Sequence, residues 1–139
     1  MISTVAVGTD GSETAAEAVR QAAEIARRYE AKLMLLSAFP QPGGFVAYAG
    51  IDPEWTSSSE AQVKKLLERS EAALRQDGIA CEARSAEGDP AEVLVRLAEQ
   101  CGADLLVVGN KGMKRRVLGS VPNDVTHKAD CSVMVVKTT

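Results

Sequence analysis

Aromatic residues make up only 4% of the 139 positions, and histidine occurs once, as His127. Cysteine is limited to Cys81, Cys101 and Cys131, an odd number, widely spaced and with no C-x-x-C pair. That pattern argues against a disulfide framework or a zinc site and points to a reducing compartment. No apolar run reaches the roughly 20 residues needed to cross a bilayer. The first residues, Met-Ile-Ser-Thr-Val-Ala-Val, lack a charged leader and a cleavage-type site, so the expectation is a cytoplasmic protein without membrane attachment. Basic residues are not in excess, at 16 against 19 acidic and a net charge of −3, so a broad footprint for nucleic acid is absent. Two nucleotide signatures are also missing. There is no G-x-x-x-x-G-K followed by Ser or Thr, and no G-x-G-x-x-G after the first strand.

What is present is a chain 45% hydrophobic and rich in Ala, Val and Leu. One domain over residues 1–139 is expected, able to bury roughly two-thirds of its unfolded surface. Ser3–Gly8 reads as a valine-rich buried strand. From Ser12, a suitable N-cap, Ala15, Val19, Ala22, Ile25, Ala26 and Tyr29 recur at helical spacing. Lys32–Ala38 reads as a strand buried on both faces. The irregular stretch 39–57, holding several prolines, glycines and Trp55, has no assigned role. Ser57 with Glu60 suggests a capping box opening a helix that carries Val63, Leu66, Leu67, Ser70 and Leu74 and stops at Gly78. Ile79–Ala86 fits a strand at a sheet edge. Asp89-Pro90 starts a further helix ending at Gly102. Ala103–Gly109, a helix from Ser120 to about Ala129, and Ser132–Lys137 complete the series. Strands alternating with helices require a mainly parallel sheet with right-handed crossovers, hence an α/β fold.

In such sheets ligands bind beyond the carboxyl ends of the strands, where strand order reverses. Two loops suit that place: Gly8-Thr9-Asp10-Gly11-Ser12, and Gly109-Asn110-Lys111-Gly112 leading to Gly119-Ser120-Val121. Glycine lets main-chain amides approach a phosphate with no Cβ in the way, and a helix start favours an anion. Met113-Lys114-Arg115-Arg116 adds local positive charge. The same glycines also serve as ordinary turn punctuation, and the cations as a solvated loop face.

Val7–Ser12 (VGTDGS), Asp104–Gly112 (DLLVVGNKG), Leu118–Pro122 (LGSVP) and the terminal VMVVK together resemble the universal stress protein family over nearly the whole chain. The ATP-binding branch of that family carries G-x2-G-x9-G followed by Ser or Thr, matched by Gly109, Gly112, Gly119 and Ser120. This chain departs from it in having six residues between Gly112 and Gly119. Three missing residues shorten the loop by roughly 10 Å of extended chain.

The resemblance implies a three-layer α/β/α domain with a five-stranded parallel sheet of order 3-2-1-4-5. It also implies an adenine nucleotide as ligand: ATP first, with AMP or cyclic AMP as alternatives, and Mg2+ or Mn2+ accompanying the phosphates. Asp10 would lie near the ribose hydroxyls, and Thr9 and Ala38 on the adenine side. Gly109, Gly112, Gly119, Ser120 and Val121 would cradle ribose and phosphates. Asn110 reads first as a turn residue tolerating left-handed geometry and second as a ligand contact. Homodimerisation through the last strand, Val133–Val136, is implied too, in keeping with an apolar edge that invites a partner.

A hydrolase needs a positioned base or nucleophile. His127, among Asp124, Thr126 and Lys128, reads as a surface residue, and no cysteine occupies an obvious electropositive helix start. The expectation is a binding module in the stress response and not an enzyme. The alternative is a same-fold interaction protein with an empty site. A signalling receiver is disfavoured, because it needs an acidic pair after strand one and a phosphoacceptor Asp after strand three, where this chain has Ser85-Ala86-Glu87.

Overall fold

The computed structural model describes residues 1–41, 59–110 and 118–137. The chain runs β1 (Thr4–Gly8), α1 (Glu13–Tyr29), β2 (Lys32–Phe39), α2 (Glu60–Gln76), β3 (Cys81–Glu87), α3 (Pro90–Gln100), β4 (Leu105–Asn110), α4 (Ser120–Lys128) and β5 (Ser132–Lys137). All strand pairings are parallel and the order is β3-β2-β1-β4-β5. The chain builds outward from β1 through β2 to β3, then returns to the other side of β1 for β4 and β5. The reversal point therefore lies between β1 and β4, and ligands in open α/β sheets gather there.

Alternation along the strands divides the core into two layers. Val5, Val7, Leu33, Leu35 and Val107 face α1 and α2, meeting Ala18, Ala22, Ala26, Val63 and Leu67. Ala6, Met34, Leu36, Leu106 and Val108 face the other way, onto Val93, Leu94, Leu97 and Val125 of α3 and α4. This is the expected three-layer α/β/α sandwich. The β2 run is buried from Leu33 to Phe39, as a strand covered on both faces should be. Each fully buried leucine there contributes about 1.5–3 kcal/mol of transfer free energy.

Several helix details differ from the sequence reading. The buried stripe of α1 is Ala15, Ala18, Ala22, Ala23 and Ala26, whereas Val19 and Ile25 are half-buried and Tyr29 is exposed. Alanine lets the helix sit close on the sheet, while Tyr29 falls in the last turn and points away from the core. The capping box of α2 is Ser59 with Gln62, not Ser57 with Glu60. The Ser59 N–H donates to Gln62 Oε1 at 2.8 Å, and the Gln62 N–H donates to Ser59 Oγ at 3.2 Å. Ser57 and Trp55 lie outside the described residues. Asp89 caps α3 as expected, accepting the Glu92 N–H at 3.2 Å ahead of Pro90. β3 forms one edge of the sheet and β5 the other. Among the described residues, no helix is long and apolar enough to cross a membrane.

Candidate functional site

At the carboxyl ends of β1, β2 and β4, the strands open into a cleft of about 360 Å³. One wall is the turn after β1. The Thr9 N–H donates to the Leu36 carbonyl at 2.9 Å, carrying the β1–β2 ladder one step past Gly8. The chain then turns at Gly11, whose φ of +85° lies in the region that favours glycine. The Gly11 N–H donates to Thr9 Oγ1 at 3.3 Å, and the Ser12 N–H donates to Asp10 Oδ1 at 2.9 Å. Ser12 Oγ in turn accepts the Ala15 N–H at 3.1 Å as the N-cap of α1. These bonds hold the exposed Asp10 carboxylate at the rim with one oxygen committed to the turn.

The end of β4 and the start of α4 supply more of the lining. Gly109 still belongs to β4, paired with Val136. Asn110 follows it as the last strand residue, fully buried and paired with Lys137. This corrects the reading of Asn110 as a left-handed turn residue, because Glu30 is the one non-glycine residue with positive φ among those described. The Asn110 side chain does different work: its Oδ1 accepts the Gly119 N–H at 2.8 Å. Gly119, the N-cap of α4, is extended at φ −63° and ψ 168°. Its amide is thus engaged within the protein and is not bare.

Of the residues singled out in the sequence, Thr9, Asp10, Ala38, Gly109, Asn110, Gly119, Ser120 and Val121 all line this cleft. Gly112 and the Lys114–Arg116 cluster lie outside the described residues. Ser12, from the first of the two candidate loops, lines it too, whereas sequence reasoning missed Thr14, Ser37, Leu94 and Val108. Ser37 was detectable, as the one hydroxyl in the apolar run Lys32–Phe39, and it is buried. Leu94 and Thr14 reach the cleft through tight packing. A Cβ at Gly8 would stand 2.8 Å from Leu94 Cδ1, and one at Gly109 would stand 2.8 Å from Thr14 Cγ2.

The lining is uncharged apart from Asp10, so among the described residues a carboxylate is the single charged group at the cleft. Among the described residues, favourable interaction with an anion comes from the start of α4, where the helix dipole is positive and the first turn carries no acidic side chain. One carboxylate does not make a metal site, and the described residues contain no group of three His, Cys, Asp or Glu that could hold an ion. His127 lies away from the cleft, with Nδ1 2.7 Å from the Asn123 carbonyl oxygen. Burial pushes all three thiols up, Cys81 to about 11, so none resembles an activated nucleophile.

Comparison with known proteins agrees with this geometry. A universal stress protein of Mycobacterium tuberculosis is 38% identical over 142 aligned positions, covering 98% of this chain and 97% of the relative. The solved structure of a universal stress protein in complex with cAMP matches with a TM-score of 0.77 at 33% identity, covering 99% of each chain. That of the universal stress protein from Archaeoglobus fulgidus in complex with dAMP matches with a TM-score of 0.70 at 26% identity, covering 99% of this chain and 100% of that one. The model of the universal stress protein family itself spans residues 1–137, and this chain belongs to that family.

Proposed function

We propose that this chain binds an adenine nucleotide in the cleft between β1 and β4 and acts as a cytoplasmic, ligand-dependent regulatory module of the stress response, not as an enzyme. The observation that carries the reading is that the start of α4 and Asp10 line one cleft at the strand-reversal point. The α4 end offers main-chain amides and a positive dipole end to phosphate. The Asp10 rim offers a hydrogen-bond acceptor to ribose hydroxyls. Relatives solved with cAMP and dAMP, both adenine nucleotides, support the ligand class. ATP, AMP and cyclic AMP are the ligands to rank, with Mg2+ or Mn2+ accompanying a polyphosphate.

The reading is tested by denaturing purified protein and identifying any released nucleotide by chromatography, followed by equilibrium titration with the three ligands. Gly119→Val places a branched side chain at the phosphate approach, where even a Cβ would stand 3.2 Å from Asn110 Oδ1. That variant should lose binding while keeping its circular dichroism spectrum. Unchanged affinity in a folded variant would refute the assignment. One observation favours the second reading, an interaction protein with an empty site: the Gly119 amide is already taken by Asn110. No bound nucleotide and no titratable affinity would decide for it.

Homodimerisation through β5 belongs to the same proposal. β5 is an edge strand whose Val133, Met134 and Val135 are only half-buried, and an apolar edge of this kind invites a second strand. Val135→Lys should halve the mass measured in solution by light scattering, and a dimer unaffected by that charge would place the interface elsewhere.

A further inference from the structure

The hydroxyl side chains that line the cleft are those of Thr9, Ser12, Thr14, Ser37 and Ser120. The fold uses the first two directly, since Thr9 Oγ1 accepts the Gly11 N–H and Ser12 Oγ caps α1. Thr14 and Ser120 have partners too. Ser37 differs. It follows Leu36 in β2, whose main chain pairs with Gly8 and accepts the Thr9 N–H. The residue is 2% exposed, yet no group among the described residues bonds its hydroxyl. No fully enclosed side-chain oxygen or nitrogen among those residues lacks a partner, so Ser37 Oγ keeps an opening, and the opening is the cleft that Ser37 lines. A hydroxyl withdrawn from water and given no partner costs stability. Leu35 and Phe39, two positions away on the same strand face, are core residues. Packing alone would favour an apolar side chain at position 37.

We propose that Ser37 is a specificity-determining residue of the cleft, its hydroxyl meeting the polar edge of the purine base. The proposal rests on the nucleotide reading and deepens it. β1 sits between β2 and β4. A ligand whose sugar is held at Asp10, just after β1, and whose phosphate points toward β4 therefore extends its base over the end of β2. Two strand spacings, about 9.5 Å, separate β2 from β4, a span that base, sugar and phosphate together can bridge. Ala38 and Leu94 add apolar lining against which a flat ring can lie. Apolar contact holds a ring without choosing among rings. A hydroxyl, able to donate to a ring nitrogen or accept from an amino group, ties affinity to the atoms at the edge of the base. The bond that Ser37 lacks within the chain is then made to the ligand.

The test compares wild type with Ser37→Ala, first without ligand and then by calorimetric titration. Without ligand, the alanine variant should match or exceed the wild-type urea midpoint, because it removes a buried group that has no partner. A clearly lower midpoint would show that the fold uses the hydroxyl, and would overturn the proposal. With AMP, the variant should bind about three- to tenfold more weakly, the worth of one neutral hydrogen bond. The titration is repeated with AMP analogues that each lack one edge group: the 1-deaza, 3-deaza and 7-deaza compounds, and purine riboside monophosphate, which lacks the 6-amino group. If ATP is the tighter ligand, the corresponding triphosphates are used. For one analogue the wild type should already have lost the bond, so that Ser37→Ala weakens it no further. Equal weakening of AMP and every analogue would overturn the proposal, as would AMP affinity unchanged by the substitution. Should Ser37→Ala not fold, Ser37→Cys, which keeps the shape with a weaker hydrogen-bonding group, takes its place in the titrations. Wild-type protein that binds neither AMP nor ATP refutes the nucleotide reading itself, a result read without any variant.

Discussion

The first turn of α1 lies so close to β4 that a Cβ on Gly109 would stand 2.8 Å from Thr14 Cγ2 and 2.9 Å from the Thr14 carbonyl oxygen. The second distance matters more, because a backbone oxygen cannot rotate aside. Gly109 thus lets helix and strand meet at the cleft, and the absence of its side chain is used by the fold whether or not a ligand is bound. Gly109→Ala should lower stability by about 1–3 kcal/mol, the usual range for overpacking. It should appear as a lower urea midpoint at unchanged slope. Adding Thr14→Ala removes the methyl but not the carbonyl, so it should restore only part of the loss. Full recovery would show that the carbonyl contact is harmless.

Asp104 ties the start of β1 to β4. Its Oδ2 accepts the Ser3 N–H at 2.8 Å, the Thr4 N–H at 3.0 Å and the Ser3 hydroxyl at 3.0 Å. Those donors hold the carboxyl below the usual aspartate range, the Ser3 amide contributing most. A folded-state value below the unfolded one means stabilisation that is fully present above the unfolded value, about pH 4, and is lost as pH falls through the folded value. Asp104→Asn should therefore be less stable than wild type near neutrality, with the two denaturation midpoints converging below pH 4. A gap that stays constant down to pH 2 would mean that ionisation of Asp104 is irrelevant to the tie. Glu82 beside Lys32 and Glu17 beside Arg20 also have lowered values, but both are common to the two proteins and drop out of the difference.

How far the sequence could be read follows from how local each determinant is. Asp89-Pro90 opens α3 through a contact three residues away, and Ser132–Lys137 is a strand by its own composition, so both were visible. The start of α2 was misplaced by two residues because Ser57, Ser58 and Ser59 are interchangeable as caps on paper. Gln62, which answers the Ser59 N–H, decides among them. Tyr29 fitted the apolar stripe by spacing, but spacing does not say where the sheet beneath a helix ends. The glycine-bearing loops located the cleft, because strand reversal and strand-end glycines are properties of the chain order. Asn110 was misread for the opposite reason. Its side-chain oxygen accepts from Gly119, nine positions further on, and no local pattern records which side chain will occupy that amide.

Cys81 is buried beneath α2, and its thiol is pushed up to about 11 chiefly by removal from water, with Glu71 adding to the effect. Cys101 and Cys131 are half-buried, and burial raises them too. The thiolate is the reactive form. Reaction with a thiol reagent at pH 8 should modify Cys101 and Cys131 first and leave Cys81 protected until the protein unfolds. In denaturant all three should react alike. Rapid native labelling of Cys81, located by peptide mass mapping, would mean that α2 lifts from the sheet far more often than its packing suggests.

Gly11 connects the rim of the cleft to α2. At φ +85° it adopts a conformation that other residues reach only at a cost, and a Cβ there would stand 3.0 Å from Leu66 Cδ2. Gly11→Ala should therefore suffer two separable penalties. The backbone term, about 1–2 kcal/mol, is intrinsic to the turn. The steric term depends on Leu66, a flexible side chain able to move, and should disappear in the double variant with Leu66→Ala once the cost of that truncation alone is subtracted. The turn also holds Asp10 at the rim through the Ser12 amide. Gly11→Ala should then weaken ligands that carry ribose hydroxyls, with 2′-deoxy analogues affected less. Equal weakening of ribo and deoxy ligands would mean that the Asp10 carboxylate does not contact the 2′-hydroxyl and that the turn acts through cleft shape alone.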